Sequence, residues 1–121
     1  PALASGKVVL SDRYFDSSVA YQGAARALDV REVKDISLWA IDRLLPDLTV
    51  LLDLPAQEAM NRRGNKGTEP DRLEREQVEF FERARDEYLR MANEPRFLVV
   101  DANLSPEEIH SQVLQRVAKL S

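Results

Sequence analysis

An aspartate and an arginine stand side by side just after a short apolar run. Asp12 and Arg13 follow residues 8–10 after a single serine. An arginine guanidinium is a planar fork of donors that can hold a phosphate monoester through two parallel hydrogen bonds. A carboxylate at a strand end is placed like those that organise Mg²⁺ through water in phosphoryl-transfer enzymes. The pair therefore indicates phosphate binding, although an isolated Asp-Arg pair is more often a structural salt bridge.

A second group of cations surrounds a polar stretch that contains glycine and proline. Residues 65–70 have no apolar anchor, which is typical of a mobile surface loop. The cations at its two ends and within it are Arg62, Arg63, Lys66 and Arg72. A flexible basic lid suits a kinase, because its cations should reach the transferring phosphoryl group only when both substrates are bound. The alternative is an ordinary solvated loop, which such a charge run more often is.

Three short apolar runs would position the first of these groups. They are residues 8–10, 49–52 and 97–100. Each run is continuous, which predicts strands buried on both faces of a parallel sheet. Asp12, Asp53 and Asp101 follow the runs, so the three carboxylates should emerge at one edge, where open α/β folds bind ligands. We interpret Asp53 as a cap for the next helix and Asp101 as a loop former.

Helical periodicity fills the intervals between the predicted strands. The predicted helices are residues 17–28, 33–45 up to Pro46, a short one from Pro55 to about 62–64, a long one over 71–93, and a last one after Ser105. Ser105 is followed by a proline and, three residues on, by Glu108, which is the pattern of a capping box. The alternation of strands and helices predicts right-handed crossovers and a three-layer α/β domain.

The composition excludes several classes of protein. The 17 basic and 21 acidic residues are interspersed and give a net charge of −4, so no basic stripe for nucleic acid is present. The absence of cysteine and the single histidine exclude disulfides, thiolate zinc sites and His-rich metal clusters. No apolar run approaches the roughly 20 residues that a membrane-spanning helix needs. We expect no nucleic-acid or membrane partner, and a cytoplasmic location.

The segment DRYFDSSVAYQG, from Asp12 to Gly23, resembles the signature of the thymidylate kinase family, in which DR and a serine-rich turn precede AYQG. Agreement continues through PDLT at 46–49, LDLP at 52–55, DRLE at 71–74 and DA at 101–102. The resemblance covers nearly the whole chain. It implies a transferase of nucleotide biosynthesis that phosphorylates dTMP with ATP and Mg²⁺, has the P-loop nucleoside monophosphate kinase fold, and forms a homodimer.

The resemblance also implies roles for individual residues. Arg13 would hold the acceptor phosphate and Asp12 would organise Mg²⁺ through water. Ser18 and Gln22 would meet the thymine edge beside Ser17, and Tyr21 would lie beside the deoxyribose. Arg63 would lie against the adenine, with Arg62 able to replace it, Lys66 would stand in the lid, and Arg72 would be the lid's catalytic cation. Arg13, Arg63 and Arg72 are thus the predicted catalytic residues.

One expected motif is missing from the 121 residues. They contain no G-x-x-x-x-G-K-[ST], the loop whose backbone amides hold nucleotide phosphates. The family carries that loop, a thymine-stacking phenylalanine and a strand between those of residues 8–10 and 49–52 in a preceding segment. We therefore interpret residues 1–121 as the C-terminal part of one kinase domain, incomplete at its N-terminus, with an acceptor site at about 12–23 and a lid at about 62–74.

Two expectations and two alternatives follow from this interpretation. Residues 8–10 and 49–52 should not be hydrogen-bonded neighbours, and the chain should be inactive alone. The first alternative is a non-catalytic or degenerate nucleotide-binding module of a larger protein. The second is another nucleoside or nucleotide kinase of the same fold, which the AYQG block disfavours.

Overall fold

The computed structural model describes residues 1–63 and 72–120, apart from the side chains of residues 24 and 72–74. Its elements alternate between helices and strands, as predicted. They are, in chain order, α1 (Phe15–Ser18), a π-helix (Val19–Ala25), α2 (Val30–Ala40), β1 (Thr49–Asp53), α3 (Ala56–Arg62), α4 (Arg72–Met91), β2 (Phe97–Asp101) and α5 (Pro106–Ala118). None of the described helices combines the length and the apolarity that crossing a membrane requires.

The described sheet consists of two parallel strands. β1 and β2 pair in register from Thr49 opposite Phe97 to Asp53 opposite Asp101. Of the three aspartates predicted for one edge of the sheet, Asp53 and Asp101 therefore lie there, whereas Asp12 follows no strand. The protein is α/β, and both of these strands are confirmed.

The prediction of a strand at residues 8–10 is wrong. Residues 8–10 form no strand, and the exposed fractions of Val8 and Leu10 are 87% and 92%. A strand needs a neighbour to accept and donate its backbone hydrogen bonds, and the described sheet offers none beside these residues. The expectation that residues 8–10 would not pair with residues 49–52 is confirmed.

The helix predicted for residues 17–28 begins earlier and is divided. Helix α1 starts at Phe15, and the chain then widens into the π-helix, a form that is often found at functional sites. Gly23 lies against the start of α2: a Cβ atom added there would stand 3.2 Å from Cγ2 and 3.3 Å from Cα of Val30. The absence of a side chain at Gly23 allows α2 to pack closely on the π-helix.

The boundaries of α2 also differ from the prediction of residues 33–45. Asp29 caps the helix through its side chain, so the helix starts at Val30. It ends at Ala40, and Asp42 and Arg43 then take positive φ angles of 52° and 55°. These left-handed residues end the helix before Pro46 is reached, although the apolar spacing continues.

The C-terminal elements agree more closely with the sequence. The capping box of α5 is present: the hydroxyl of Ser105 accepts from the backbone N–H of Glu108, and the Glu108 carboxylate accepts from that of Ser105. In α4, Ala84 and Met91 are buried. They belong to a core that joins α4 to α1, the π-helix and β2, comprising Phe15, Val19, Ala20, Ala25, Ala84, Met91 and Phe97. This core fixes the segment after Arg13 against α4.

Candidate functional site

A cleft of about 440 Å³ lies between the segment from Arg13 to Arg26 and helix α4. We call it the acceptor cleft. It is lined by Arg13, Tyr14, Ser17, Ser18, Tyr21, Gln22, Arg26 and Phe80. Five of the residues predicted to bind substrate, Arg13, Ser17, Ser18, Tyr21 and Gln22, therefore share one cleft. Asp12 is exposed and is not among the lining residues.

The backbone of Arg13 is in an uncommon conformation. Its φ is 70°, in the left-handed region, and its carbonyl oxygen accepts a 2.7 Å hydrogen bond from the hydroxyl of Ser11. A non-glycine residue in a sparsely populated region costs on the order of 1–3 kcal/mol and is held there by its surroundings. The conformation turns the chain sharply between the exposed residues 8–12 and the start of α1, and it places Arg13 at the cleft.

The guanidinium of Arg13 is not used in an ion pair with any described carboxylate. Its central carbon lies 5.5 Å from the centroid of the Tyr21 ring, which attracts the cation through the negative face of the ring. The alternative of an Asp12–Arg13 structural salt bridge therefore finds no support. The hydrogen-bond donors of Arg13 are available to an anion in the cleft.

Tyr21 is held by aromatic residues of α4. The Tyr21 ring centroid lies 6.0 Å from those of Phe80 and Tyr88, and 6.4 Å from that of Phe81. Phe80 and Phe81 are adjacent in sequence and point about 100° apart around the helix, so they contact Tyr21 from two sides. This contact fixes the Tyr21 ring as a wall of the acceptor cleft.

Two lining residues were missed by the sequence analysis. Neither Phe80 nor Arg26 was among the residues predicted to bind substrate. The guanidinium carbon of Arg26 lies 5.5 Å from the centroid of the Phe80 ring. The one available signal was the pair of adjacent aromatic residues, because two neighbouring helical positions cannot both face the same part of the core.

Ser17 accepts a hydrogen bond from a tyrosine of α4. The hydroxyl of Tyr88 donates to the Ser17 hydroxyl oxygen at 2.7 Å. Burial raises the pKa of Tyr88 above its ordinary value, while the bond to Ser17 acts in the opposite direction. Tyr88 therefore keeps its proton near neutral pH and remains the donor, which leaves the Ser17 hydrogen available to donate.

Arg62 and Arg63 differ in their contacts. Arg62 donates to the carbonyl oxygen of Ala102 and, at 2.9 Å, to Oδ1 of Asn103, so it joins the end of α3 to the loop after β2. The guanidinium carbon of Arg63 lies 4.9 Å from the centroid of the Phe81 ring. Arg63 also lines a second cleft of about 280 Å³, and Tyr21 lines both clefts. The predictions for Lys66 and for the Arg72 side chain lie outside the described residues.

Asp53 does not cap helix α3, which corrects the sequence interpretation. The N-cap of α3 is Pro55, with no side-chain hydrogen bond. Asp53 instead accepts two hydrogen bonds from Arg85 of α4, at 2.8 and 3.1 Å. These bonds from Arg85 hold the pKa of Asp53 below its ordinary value. By contrast, Asp101 accepts from the backbone N–H of Asn103 at 2.9 Å, so its prediction as a loop former is confirmed.

Replacing Asp53 by asparagine should lower the free energy of unfolding by about 1 kcal/mol at pH 7, because the partly exposed pair is screened by water. A carboxylate whose folded pKa lies below its unfolded value of about 3.9 stabilises the protein above that pH. The stabilisation is lost as the pH falls through the folded pKa. Denaturant unfolding of the wild type and of Asp53→Asn should therefore show a difference in the free energy of unfolding at pH 7 that disappears in acid.

Asp101→Asn is the matched control for this measurement. Asp101 is the register partner of Asp53 and has no arginine partner among the described residues. A difference between wild type and Asp53→Asn that is equally large at pH 7 and in strong acid would contradict the assignment of the pair.

The described residues do not form a complete metal site. No group of three or more His, Cys, Asp or Glu side chains among them is arranged to hold a metal ion. Mg²⁺ prefers an octahedral set of six oxygen ligands, several of which are usually water, with one or two carboxylates. The exposed carboxylate of Asp12 is compatible with a contact through water but does not make a site alone.

Comparison with known proteins places the chain in a family. A family model described as thymidylate kinase matches residues 1–113. A protein named thymidylate kinase from Leifsonia xyli subsp. xyli is 57% identical over 118 residues, covering 97% of this chain and 56% of that protein. The protein of the same name from Halothermothrix orenii is 49% identical, covering 97% of this chain and 58% of its own length. The chain thus spans a little over half the length of these curated relatives. On these matches, the chain belongs to the thymidylate kinase family.

Proposed function

We propose that the protein containing this chain transfers a phosphoryl group from ATP to dTMP, giving dTDP, and that the acceptor cleft receives dTMP. The observation that carries the proposal is the guanidinium of Arg13, which has no ion-pair partner among the described carboxylates and lies in a cleft with Ser17, Ser18, Tyr21 and Gln22. The relatives named thymidylate kinase support the same reaction.

Each side chain of the cleft has a chemical task in this proposal. Arg13 binds the acceptor phosphate through its fork of donors. Ser18 and Gln22 supply the donors and acceptors for the edge of the pyrimidine, and Ser17 adds a hydroxyl oriented by Tyr88. Tyr21 offers one face of its fixed ring to the deoxyribose. These groups bind and orient the acceptor, and positioning is most of the catalysis of phosphoryl transfer.

The ATP side of the reaction is assigned to the cations around residues 62–74. Arg63 is our choice for the contact with adenine, because it lines a cleft beside the acceptor cleft while the donors of Arg62 already meet Ala102 and Asn103. We assign the catalytic cation to Arg72 and a supporting charge to Lys66, on the sequence alone. The described residues do not complete a magnesium site, so we derive no step through the ion.

The proposal includes the rest of the domain. We propose that residues 1–121 are the C-terminal part of a single domain, whose fold is a three-layer sheet of the P-loop nucleoside monophosphate kinase type. The exposed apolar residues of the two-stranded sheet support this proposal. Leu52 and Val99 have exposed fractions of 54% and 43%, whereas all-parallel sheets normally have both faces covered by helices. A cytoplasmic location stays a prediction.

We propose that the exposed apolar face of helix α2 is the interface of a homodimer. Ile36 and Trp39, with exposed fractions of 67% and 80%, are neighbours on that helix. A large aromatic side chain exposed beside another apolar residue is typical of a surface that meets a partner. The mass of the protein in solution, measured by sedimentation, decides between monomer and dimer.

The proposed activity is tested with a panel of acceptors, using the polypeptide encoded by the complete gene. With ATP as donor, dTMP should be phosphorylated in preference to UMP. Thymidine, which lacks the phosphate for Arg13, should bind roughly 10- to 100-fold more weakly than dTMP, because charge-assisted hydrogen bonds are lost. A preference for thymidine or UMP would favour the alternative of another kinase of the same fold. Tight binding of dTMP without turnover would favour the non-catalytic module.

A further inference from the structure

Behind the acceptor cleft lies a buried ion pair that the sequence analysis did not detect. Arg96, in the turn before β2, donates two hydrogen bonds to the carboxylate of Asp16, both at 2.8 Å. The exposed fractions of the two side chains are 11% and 5%. A bidentate pair removed from water in this way fixes the position and the orientation of both partners.

Arg96 is itself held from several sides. It donates to Oγ1 of Thr49 at 2.8 Å and to the carboxylate of Glu94 at 2.8 Å. Its guanidinium carbon also lies 5.3 Å and 4.5 Å from the ring centroids of Phe15 and Phe97. Arg96 therefore connects the start of both strands to helix α1, and it cannot move without breaking contacts in all three elements.

Asp16 stands inside the segment that forms the acceptor cleft. It follows Arg13 by three residues and directly precedes Ser17 and Ser18. The segment is short: α1 has four residues, too few to be stable by themselves. Its start carries the strained backbone of Arg13, whose conformation must be imposed by the surroundings.

Besides the apolar core, two side-chain hydrogen bonds between uncharged groups hold this segment to other described parts of the chain. The hydroxyl of Tyr14 donates to the carbonyl oxygen of Leu44 at 3.1 Å, and that of Tyr88 donates to Ser17. The Arg96–Asp16 pair is the salt bridge that joins α1 to the sheet within the described residues. Hydrogen bonds to charged groups are stronger than neutral ones, so this pair restrains α1 more tightly than either of those two hydrogen bonds does.

We propose that Arg96 is a positioning residue for acceptor binding: through Asp16 it sets the place of Arg13, Ser17 and Ser18 at the cleft, without touching the nucleotide. The inference rests on the proposed function, since it concerns the cleft assigned there to dTMP. It goes beyond that function because Arg96 lies 80 positions from Asp16 and outside every motif of the acceptor segment.

The test replaces Arg96 by lysine in the polypeptide encoded by the complete gene. Lysine keeps the charge but has no planar fork, so it cannot hold both Asp16 oxygens and Thr49 together. The Michaelis constant for dTMP should rise on the order of tenfold or more, because a small displacement of positioning groups is costly. The Michaelis constant for ATP should change by less than about twofold, because the contacts of Arg96 given above include neither Arg62 nor Arg63, the described residues assigned to ATP.

A second variant, Asp16→Asn, removes the other half of the pair while keeping its shape. It should also raise the Michaelis constant for dTMP and leave that for ATP nearly unchanged. The double variant should be little worse than either single one, because both changes break the same interaction. Additive effects would show that Arg96 does not act through Asp16 and would overturn the proposal.

Arg90→Lys is the matched control for a purely structural role. Arg90 pairs with the buried carboxylate of Glu87 in α4, is itself largely exposed, and does not line the acceptor cleft. The control should lower the thermal unfolding midpoint without a selective effect on dTMP. The proposal is overturned if Arg96→Lys changes the constants for dTMP and ATP alike, as a general loss of folded protein would.

Arg13→Ala separates this proposal from the proposed function. If Arg13→Ala raises the constant for dTMP and Arg96→Lys does not, the positioning role fails and the acceptor site stands. If Arg13→Ala has no effect, the assignment of the cleft is wrong, and the role of Arg96 falls with it.

Discussion

Arg13→Ala should weaken the binding of dTMP on the order of a hundredfold, because it removes a fork of charge-assisted hydrogen bonds to the acceptor phosphate. The Michaelis constant for ATP should stay within about twofold, since Arg13 lines the acceptor cleft and the described arginines assigned to ATP, Arg62 and Arg63, do not. Steady-state kinetics with each substrate varied in turn, using the polypeptide encoded by the complete gene, makes the measurement. Unchanged constants and turnover for dTMP would remove Arg13 from the site.

Two further variants sharpen this test. Arg13→Lys keeps the charge and loses the fork, so its Michaelis constant for dTMP should lie between those of the wild type and of Arg13→Ala if bidentate contact matters.

Arg72→Ala should have the opposite signature, a lower turnover with little change in either Michaelis constant, because a lid cation that meets the moving phosphoryl group stabilises mainly the transition state. A pure loss of affinity would make Arg72 a ground-state contact, and unchanged kinetics would transfer its role to Arg62, Arg63 or Lys66.

The 121 residues by themselves should catalyse no ATP-dependent conversion of dTMP to dTDP. They contain no loop of the type G-x-x-x-x-G-K-[ST], so no amide cradle and lysine align the β and γ phosphates. Positioning of those phosphates is most of the catalysis, and its loss should bring the rate to background. A coupled assay for ADP and chromatography of the nucleotides would measure it, with the polypeptide of the complete gene as the positive control.

The difficulty in this experiment is a contaminating kinase from the expression host, which would mimic activity. The same 121 residues carrying Arg13→Ala provide the control, because a contaminant would be unaffected by that change. Conversion of dTMP that survives purification and disappears with Arg13→Ala would contradict the prediction. Binding is a separate question: we expect the affinity of the 121 residues for dTMP to be much reduced, since part of the pocket is assigned to a segment outside them.

The acceptor site was the part of the molecule most accessible from the sequence. Arg13, Ser17, Ser18, Tyr21 and Gln22 lie within ten consecutive residues, and one short helix with the π-helix after it brings them to one side. The prediction that they share a site rested on the resemblance of this segment to a family motif. Phe80 was not predicted because it reaches that cleft through the packing of α4 on the π-helix, which no local pattern specifies. Arg26 directly follows the π-helix and lies over the Phe80 ring.

Asp53 and residues 8–10 show why other predictions were wrong. A carboxylate between a strand and a helix has a local option, capping, and a distant one, an arginine on another element. The distant option prevails here because Arg85 lies 32 positions along the chain but within 2.8 Å in space. Residues 8–10 have the composition of a strand, yet a strand also depends on a neighbour, and the described sheet provides none.

The sequence by itself determined the α/β class, the two paired strands, the capping box of α5 and, through its motifs, the family. These features follow from short-range spacing and from residue types, which are written along the chain. Only the tertiary structure decided the left-handed turn at Arg13, the partner of Asp53, the aromatic wall around Tyr21, and the pairing of Arg96 with Asp16. Those features depend on side chains up to 80 positions apart, and their contacts exist only once the helices have packed against the sheet and each other.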